Sequence, residues 1–208
     1  MIHLPGTYLS VDFETTGLNT MFDHPNSLSV VHFQDFEPTG IALTLKIAIP
    51  QDKFKLSMEA LKVQGLDLYS DEAEIARVIR GLFPVGALSQ KDAYSELCKW
   101  ATENGLNNLP CVAHSARFDW GFLNHLDRNT SVQHCSPLGP TWICTKHLAS
   151  VAFGPKVKSV SLDSCCNLLE IENTREGGHD SAVDALLCGK VYAKLVAFLI
   201  EHGQGVQG

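Results

Sequence analysis

The sequence predicts an α/β domain built on a mixed sheet, and two observations carry that prediction. The first third is rich in strand signals, with β-branched and aromatic residues in short runs. The remainder alternates short apolar strands with segments of helical periodicity. Its 208 residues, 45% hydrophobic and 19% charged, suit one globular domain with a sizeable core, and residues 1–208 are read as such.

The elements follow in order. Residues 7–13 read as a strand, then residues 27–36 ("SLSVVHFQDF") and 40–49 ("GIALTLKIAI"), the last two joined by "EPTG", whose Pro and Gly suit a tight turn. That is a three-stranded antiparallel start. Residues 70–83 carry Ile75, Val78, Ile79 and Leu82 at helical spacing, with Ser70 as cap and acids in the first turn. Residues 90–104 repeat the pattern through Ala93, Leu97, Trp100 and Ala101, and stop at Gly105. A short strand over residues 110–113 leads into a helix over 116–126. Another strand over 141–144 precedes helices over 146–152 and 162–169, and a long helix closes the pattern over 181–201.

Composition narrows the function. The net charge of −7 argues against a broad basic surface for nucleic acid, but not against an enzyme that gathers acids around cations. Seven cysteines, an odd number in a chain of this length, read as reduced thiols. Cys144 and His147, with His134 and Cys135 upstream, have spacing that touches on a zinc site, but paired knuckles are absent and buried thiols are favoured. The most apolar late stretch, residues 191–200, is short and broken by Lys194, and the N-terminus lacks the pattern of a signal peptide. A soluble cytoplasmic protein without membrane contact is expected.

Three stretches carry chemistry. In "VDFETTG" (residues 11–17), Asp12 and Glu14 lie two apart on a strand, so both point to one face, about 6.6 Å apart along the chain. Neighbouring carboxylates repel unless a cation lies between them. In "CVAHSARFDWGFL" (residues 111–123), Asp119 falls in the first turns of a helix that starts at the mouth of a strand. In "GGHDSAVDALLCGKVY" (residues 177–192), His179 and Asp184 are five apart and cannot share one helix face. Asp184 therefore belongs on the helix and His179 in the loop before it, with Asp180 or Ser181 as cap.

Taken together, these stretches resemble the DEDDh group of 3′–5′ exonucleases in the DnaQ-like superfamily. The resemblance rests on D-x-E-T-T-G at residues 12–17, A-H-x-A-x-F-D at 113–119 and H-x-x-x-x-D at 179–184, in the family's order. Weaker echoes lie at residues 143–149, 161–171 and 58–66, where Gln64 stands in place of the family's usual histidine. The resemblance implies a ribonuclease H-like, three-layer fold. Its central five-stranded mixed sheet would have antiparallel first three strands and helices on both sides.

It also implies a mechanism. Two divalent cations, Mg²⁺ or Mn²⁺, would neutralise the acids, sitting about 3.5–4 Å apart and clamping the attacking and leaving oxygens. Asp12, Glu14 and Asp184 would hold one, Asp12 would bridge to the second, and Asp119 would act through water. His179 would be the general base for the attacking water. Gly177 and Gly178 would let its loop close on a substrate end. The terminal nucleotide would lie against the backbone of Thr15, Thr16 and Gly17, with Leu18 as an apolar wedge and Gln64 and Phe118 as further contacts. Arg117, Arg175 and "GPKVKS" (residues 154–159) would guide a strand.

The expected activity is release of nucleoside monophosphates from single-stranded 3′ ends, with DNA favoured over RNA. Exoribonuclease trimming, a small-nucleotide phosphodiesterase and a non-catalytic polymerase-associated or scaffold module stand as alternatives. A homodimer and a polymerase partner are both compatible with the resemblance, although the notable C-terminal tail of polymerase-tied relatives is not evident.

Overall fold

The alternation of buried residues along the first strand organises the molecule. In the computed structural model, which describes residues 4–50, 85–128, 137–175 and 179–202, strand β1 (Tyr8–Thr15) lies at the centre of a five-stranded sheet. It pairs antiparallel with β2 (Pro25–Gln34), which pairs antiparallel with β3 (Glu37–Lys46). On its other side it runs parallel to β4 (Cys111–Ala113), which runs parallel to β5 (Trp142–Cys144). The order β3-β2-β1-β4-β5 is the expected mixed sheet with three antiparallel strands first.

Side chains of β1 divide by parity between two cores. Leu9, Val11 and Phe13 pack with Leu28 and Val30 against helices α1 (Gln90–Glu103) and α2 (Ala116–Arg128). Tyr8 faces the opposite way with Phe33. There it meets α3 (Thr145–Phe153), α4 (Leu162–Leu168) and α5 (Ser181–His202). Helices on both faces make the third layer that the sequence predicts.

The C-terminal helix is drawn unusually close to the sheet. A Cβ at Gly189 would stand 2.2 Å from the Phe33 ring, so only glycine permits this approach. The Tyr8 hydroxyl donates to the Gly189 carbonyl at 2.9 Å, and the Tyr8 ring stacks on Phe33. That approach sets the height at which the first turn of α5 crosses β1 and β2.

Two expectations are corrected. The β2–β3 turn is Asp35–Phe36, not "EPTG": Gln34 pairs with Glu37, and "EPTG" already belongs to β3. Both turn residues have positive φ, 52° and 67°, the conformation whose twist matches antiparallel strands. Phe36 tolerates it because its N–H donates to the Gly6 carbonyl and its ring packs near Tyr192. Strand β1 also runs past its expected end at residue 13, through Glu14 and Thr15. The expected helix over residues 70–83, and residues 58–66, 134–135 and 177–178, lie outside the described residues. No helix among the described residues is long and apolar enough to cross a membrane. The six described cysteines are free thiols.

Candidate active site

Toward its C-terminal end, one face of β1 changes from core to chemistry. Tyr8, Ser10, Asp12 and Glu14 share that face, opposite Phe33, Val31, Ser29 and Ser27 of β2. The acids thus lie on a central strand, where solvent cannot simply neutralise them. Helix α5 is fastened above them by a buried network. Ser181, its first residue, is 2.7 Å from the Ser27 hydroxyl and 2.9 Å from that of Ser29. Asp180 caps the helix by accepting from the Ala182 and Val183 N–H groups. One turn on, Asp184 faces Asp12 and Glu14.

Asp119 arrives from the other side. Strand β4 ends before β1 does, leaving the Phe13 N–H without a strand partner. The Asp119 carboxylate fills that position, accepting from Phe13 at 3.2 Å. This use of a helix acid to finish a strand edge was not visible in the sequence. Asp119 and Asp184 are both only 3% exposed.

Burial and neighbouring charge raise the proton affinity of Asp12, Glu14 and Asp119. Burial, then the charges of Asp119, Glu14 and Asp184, holds the Asp12 carboxyl well above the usual carboxylate range. Burial and the Asp184 charge push Glu14 up to about 7. Burial pushes Asp119 up to about 8, against the pull of the Phe13 N–H. His179 lies just before α5, as expected, with Nδ1 2.6 Å from Asp184 Oδ2, and this hydrogen bond raises its pKa. Ligand atoms of Glu14, His179 and Asp184 all fall within 4.8 Å of one another. A group of buried carboxylates with few compensating donors is a set that fits a hard divalent cation.

Arg175 departs from expectation. Its side chain turns inward, 6% exposed, instead of serving as a surface guide. Its Nε donates to Asp184 Oδ1 at 2.5 Å, and its Nη1 pairs with Asp163 of α4. Both oxygens of Asp184 therefore accept charged hydrogen bonds, one from Arg175 and one paired with His179.

The turn after β1 is equally constrained. The Thr16 N–H donates to the His24 carbonyl at 2.9 Å, so this donor is consumed inside the loop and does not face a substrate. Thr15 Oγ1 donates to the Gly17 carbonyl, and a Cβ at Gly17 would stand 2.3 Å from the Asp23 carboxylate. Gly17 is thus required by packing. Leu18 projects from this loop, 73% exposed. Phe118 meets the Phe122 ring edge-on at 4.9 Å and is partly buried against the core. Gln64 lies outside the described residues.

His114 of the second motif has a structural task. Its ring bridges Thr145 Oγ1 and the Val160 carbonyl, each at 2.9 Å, and burial lowers its pKa to about 4. It ties the end of β4 to α3 and to the chain entering α4.

The sheet order and the acids at the end of its central strand form the ribonuclease H-like arrangement that the resemblance implies. The comparisons agree: the RNase_T exonuclease model matches residues 79–192, and the chain belongs to that family, within the DnaQ-like 3′–5′ exonuclease superfamily. It is 27% identical over 199 residues to the DNA polymerase III PolC-type of Bacillus cereus, covering 95% of this chain. The chain spans only 12% of the length of that relative.

Solved structures show the same fold. Escherichia coli exonuclease I in complex with a dA16 oligonucleotide aligns with TM-score 0.64 at 17% identity, over 96% of this chain and 42% of that one. Pop2p of S. pombe, in a form with Mg²⁺ and Mn²⁺ bound, aligns with TM-score 0.62 at 11% identity, over 97% of this chain and 86% of that one.

Proposed function

We propose that the chain is a cation-dependent 3′–5′ exonuclease domain that hydrolyses single-stranded ends, DNA in preference to RNA, releasing nucleoside monophosphates. The observation that carries this reading is the convergence of Asp12, Glu14, Asp119 and Asp184, from three separate elements, with His179 hydrogen-bonded to one of them. Buried carboxylates cost stability when charged, and a fold retains them together when they hold something positive.

The residues divide the work. Asp12, Glu14 and Asp184 hold divalent cations, Mg²⁺ or Mn²⁺, and Asp119 supports them from the Phe13 edge. When bound, two such ions stabilise charge on the attacking and leaving oxygens of an in-line displacement. Arg175 pairs with Asp184 and would share that carboxylate with a cation. His179 is the base: with Nδ1–H directed to Asp184, Nε2 is the nitrogen left to take the proton of the attacking water. The Gly17–Leu18 turn and Phe118 receive the terminal nucleotide.

The test is degradation of 5′-labelled single-stranded DNA and RNA of one sequence, with magnesium, manganese or chelator. A cation-dependent ladder shortening from the 3′ end is expected. Asp12→Ala should abolish it, and His179→Ala should slow it about 10²–10⁴-fold. A ladder unaffected by either substitution, or none from either polymer, would overturn the reading.

A further inference from the structure

The C-terminal helix leaves one of its faces open. Where the β2–β3 turn and the chain leaving α4 meet residues 190–200 of α5, a groove of about 510 Å³ is formed. Its floor is apolar: Phe36 and Ile171, both partly buried against the Tyr8 core, with Ala193 and Ala197 of α5. Ile200, in the last turns of α5, adds a large side chain that is 62% exposed. From Lys190 to Ile200 the helix covers about 15 Å, close to three turns. The groove begins about 9 Å along the helix from Asp184 and runs away from it, and none of the four acids of the site lines it.

Charge around this floor comes in two signs, from different elements. Glu37 at the start of β3, and Glu170 and Glu172 after α4, are exposed acids. Lys190 and Lys194 stand one turn apart on α5. Among the described residues no ion pair joins these lysines to these glutamates. Opposite charges held around one apolar floor without closing on each other leave room for an occupant that answers both. The three carboxylates repel a polynucleotide backbone and an anionic membrane surface alike. An amphipathic helix matches the whole pattern. Its apolar residues recur every three or four positions as one stripe, and charged residues of both signs border that stripe.

We propose that this groove docks an amphipathic helix of a partner protein, about three turns long. Basic residues of that helix face Glu37, Glu170 and Glu172, and its acidic residues face Lys190 and Lys194. Its apolar stripe covers Phe36, Ile171, Ala193 and Ala197 and extends onto Ile200. The assignment does not depend on the exonuclease reading. It gives the domain a surface by which another protein holds it, separate from Asp12, Glu14, Asp119 and Asp184.

The test uses fluorescein-labelled, helix-stapled peptides that share one leucine stripe and differ only in its flanks: lysine on one side and glutamate on the other, lysine on both, or glutamate on both. Anisotropy titration with the whole chain at physiological salt should give the mixed peptide about tenfold tighter binding than either of the others. Lys190→Glu/Lys194→Glu should move the preference to the all-lysine peptide, because the groove then carries acids alone. Ala197→Arg, on an exposed position of α5, should abolish binding and leave the melting temperature unchanged. Equal affinity for the three peptides, no binding of the mixed peptide, or binding that survives Ala197→Arg would each overturn the proposal. So would a dimer in sedimentation that Ala197→Arg dissolves, which would assign the groove to a second copy of this chain.

Discussion

The two faces of β1 are made from alternate residues of the same eight, yet they do opposite work. On one face Leu9, Val11 and Phe13 join a continuous apolar core with α1 and α2. On the other, Tyr8 is core, Ser10 is buried, and Asp12 and Glu14 lie against the charge of Asp184. The gradient along that second face runs from packing to buried charge. The first half of the strand anchors α5 through Tyr8 and Gly189, and the second half presents charge that the anchored helix then completes.

Substitution on each face should separate these roles, and the largest effect is on activity. Asp12→Asn should reduce turnover to background while raising the melting temperature in chelator at pH 8, because it removes a buried group that resists ionisation. Leu9→Ala, on the opposite face, should cost about 2–5 kcal/mol of stability and leave kcat of the folded protein near wild type. Denaturant unfolding and single-turnover assays on both variants read the contrast. Loss of stability in Asp12→Asn would mean that the acid is part of the core after all.

The next effect concerns pH. Glu14 and Asp119 titrate at about 7 and about 8 in the folded chain, above the ordinary carboxylate value of about 4. A carboxyl raised in this way holds its proton when the unfolded chain has lost it. Its contribution to stability is present below the unfolded value and is lost as pH rises through the folded one. Metal-free protein should therefore lose stability from about pH 5 to about pH 8, and Mg²⁺ or Mn²⁺ should restore it most at the alkaline end. His114 acts in the opposite sense. Lowered to about 4, it contributes stability that is present above its unfolded value of about 6.5 and is lost as pH falls toward the folded one. Melting temperatures against pH, with chelator and with each cation, measure both windows. A flat metal-free profile above pH 5 would contradict the raised acids.

The smallest effect tests how the two faces are joined. Ser181→Ala should cost about 1 kcal/mol, since Ser27 and Ser29 keep their contacts to Leu45 and Thr44. It should also weaken cation binding, read by calorimetry, because the network sets where Asp184 crosses β1. Unchanged cation affinity would show that the Tyr8–Gly189 contact alone positions the helix.

Much of this was legible locally. The period of two along β1 told that Asp12 and Glu14 share a face, and the five-residue step told that His179 precedes the helix that carries Asp184. The helix start at Gln90 followed its apolar spacing, and that at Ser181 followed the expected cap at Asp180 or Ser181. The Asp35–Phe36 turn was not legible, because "EPTG" has the stronger local turn chemistry and the observed turn depends on Phe36 meeting Gly6 and Tyr192 from distant parts of the chain. Arg175 was misread for the same reason: a loop cation looks solvated until Asp163 and Asp184 are brought to it.

The sequence by itself determined the antiparallel start, that Asp12 and Glu14 share one face of a strand and that His179 precedes the helix carrying Asp184, since these depend on spacing within a single element, whereas grouping them with Asp119 rested on the family resemblance. The tertiary structure alone decided that β1 is central, that Asp119 completes its open edge at Phe13, that Ser181 locks α5 to β2, that Arg175 pairs with Asp184, and that Glu170 and Lys190 line one groove. Each of these joins residues many positions apart, and contact at that range is set by how the layers pack, a property that no local pattern of side chains encodes.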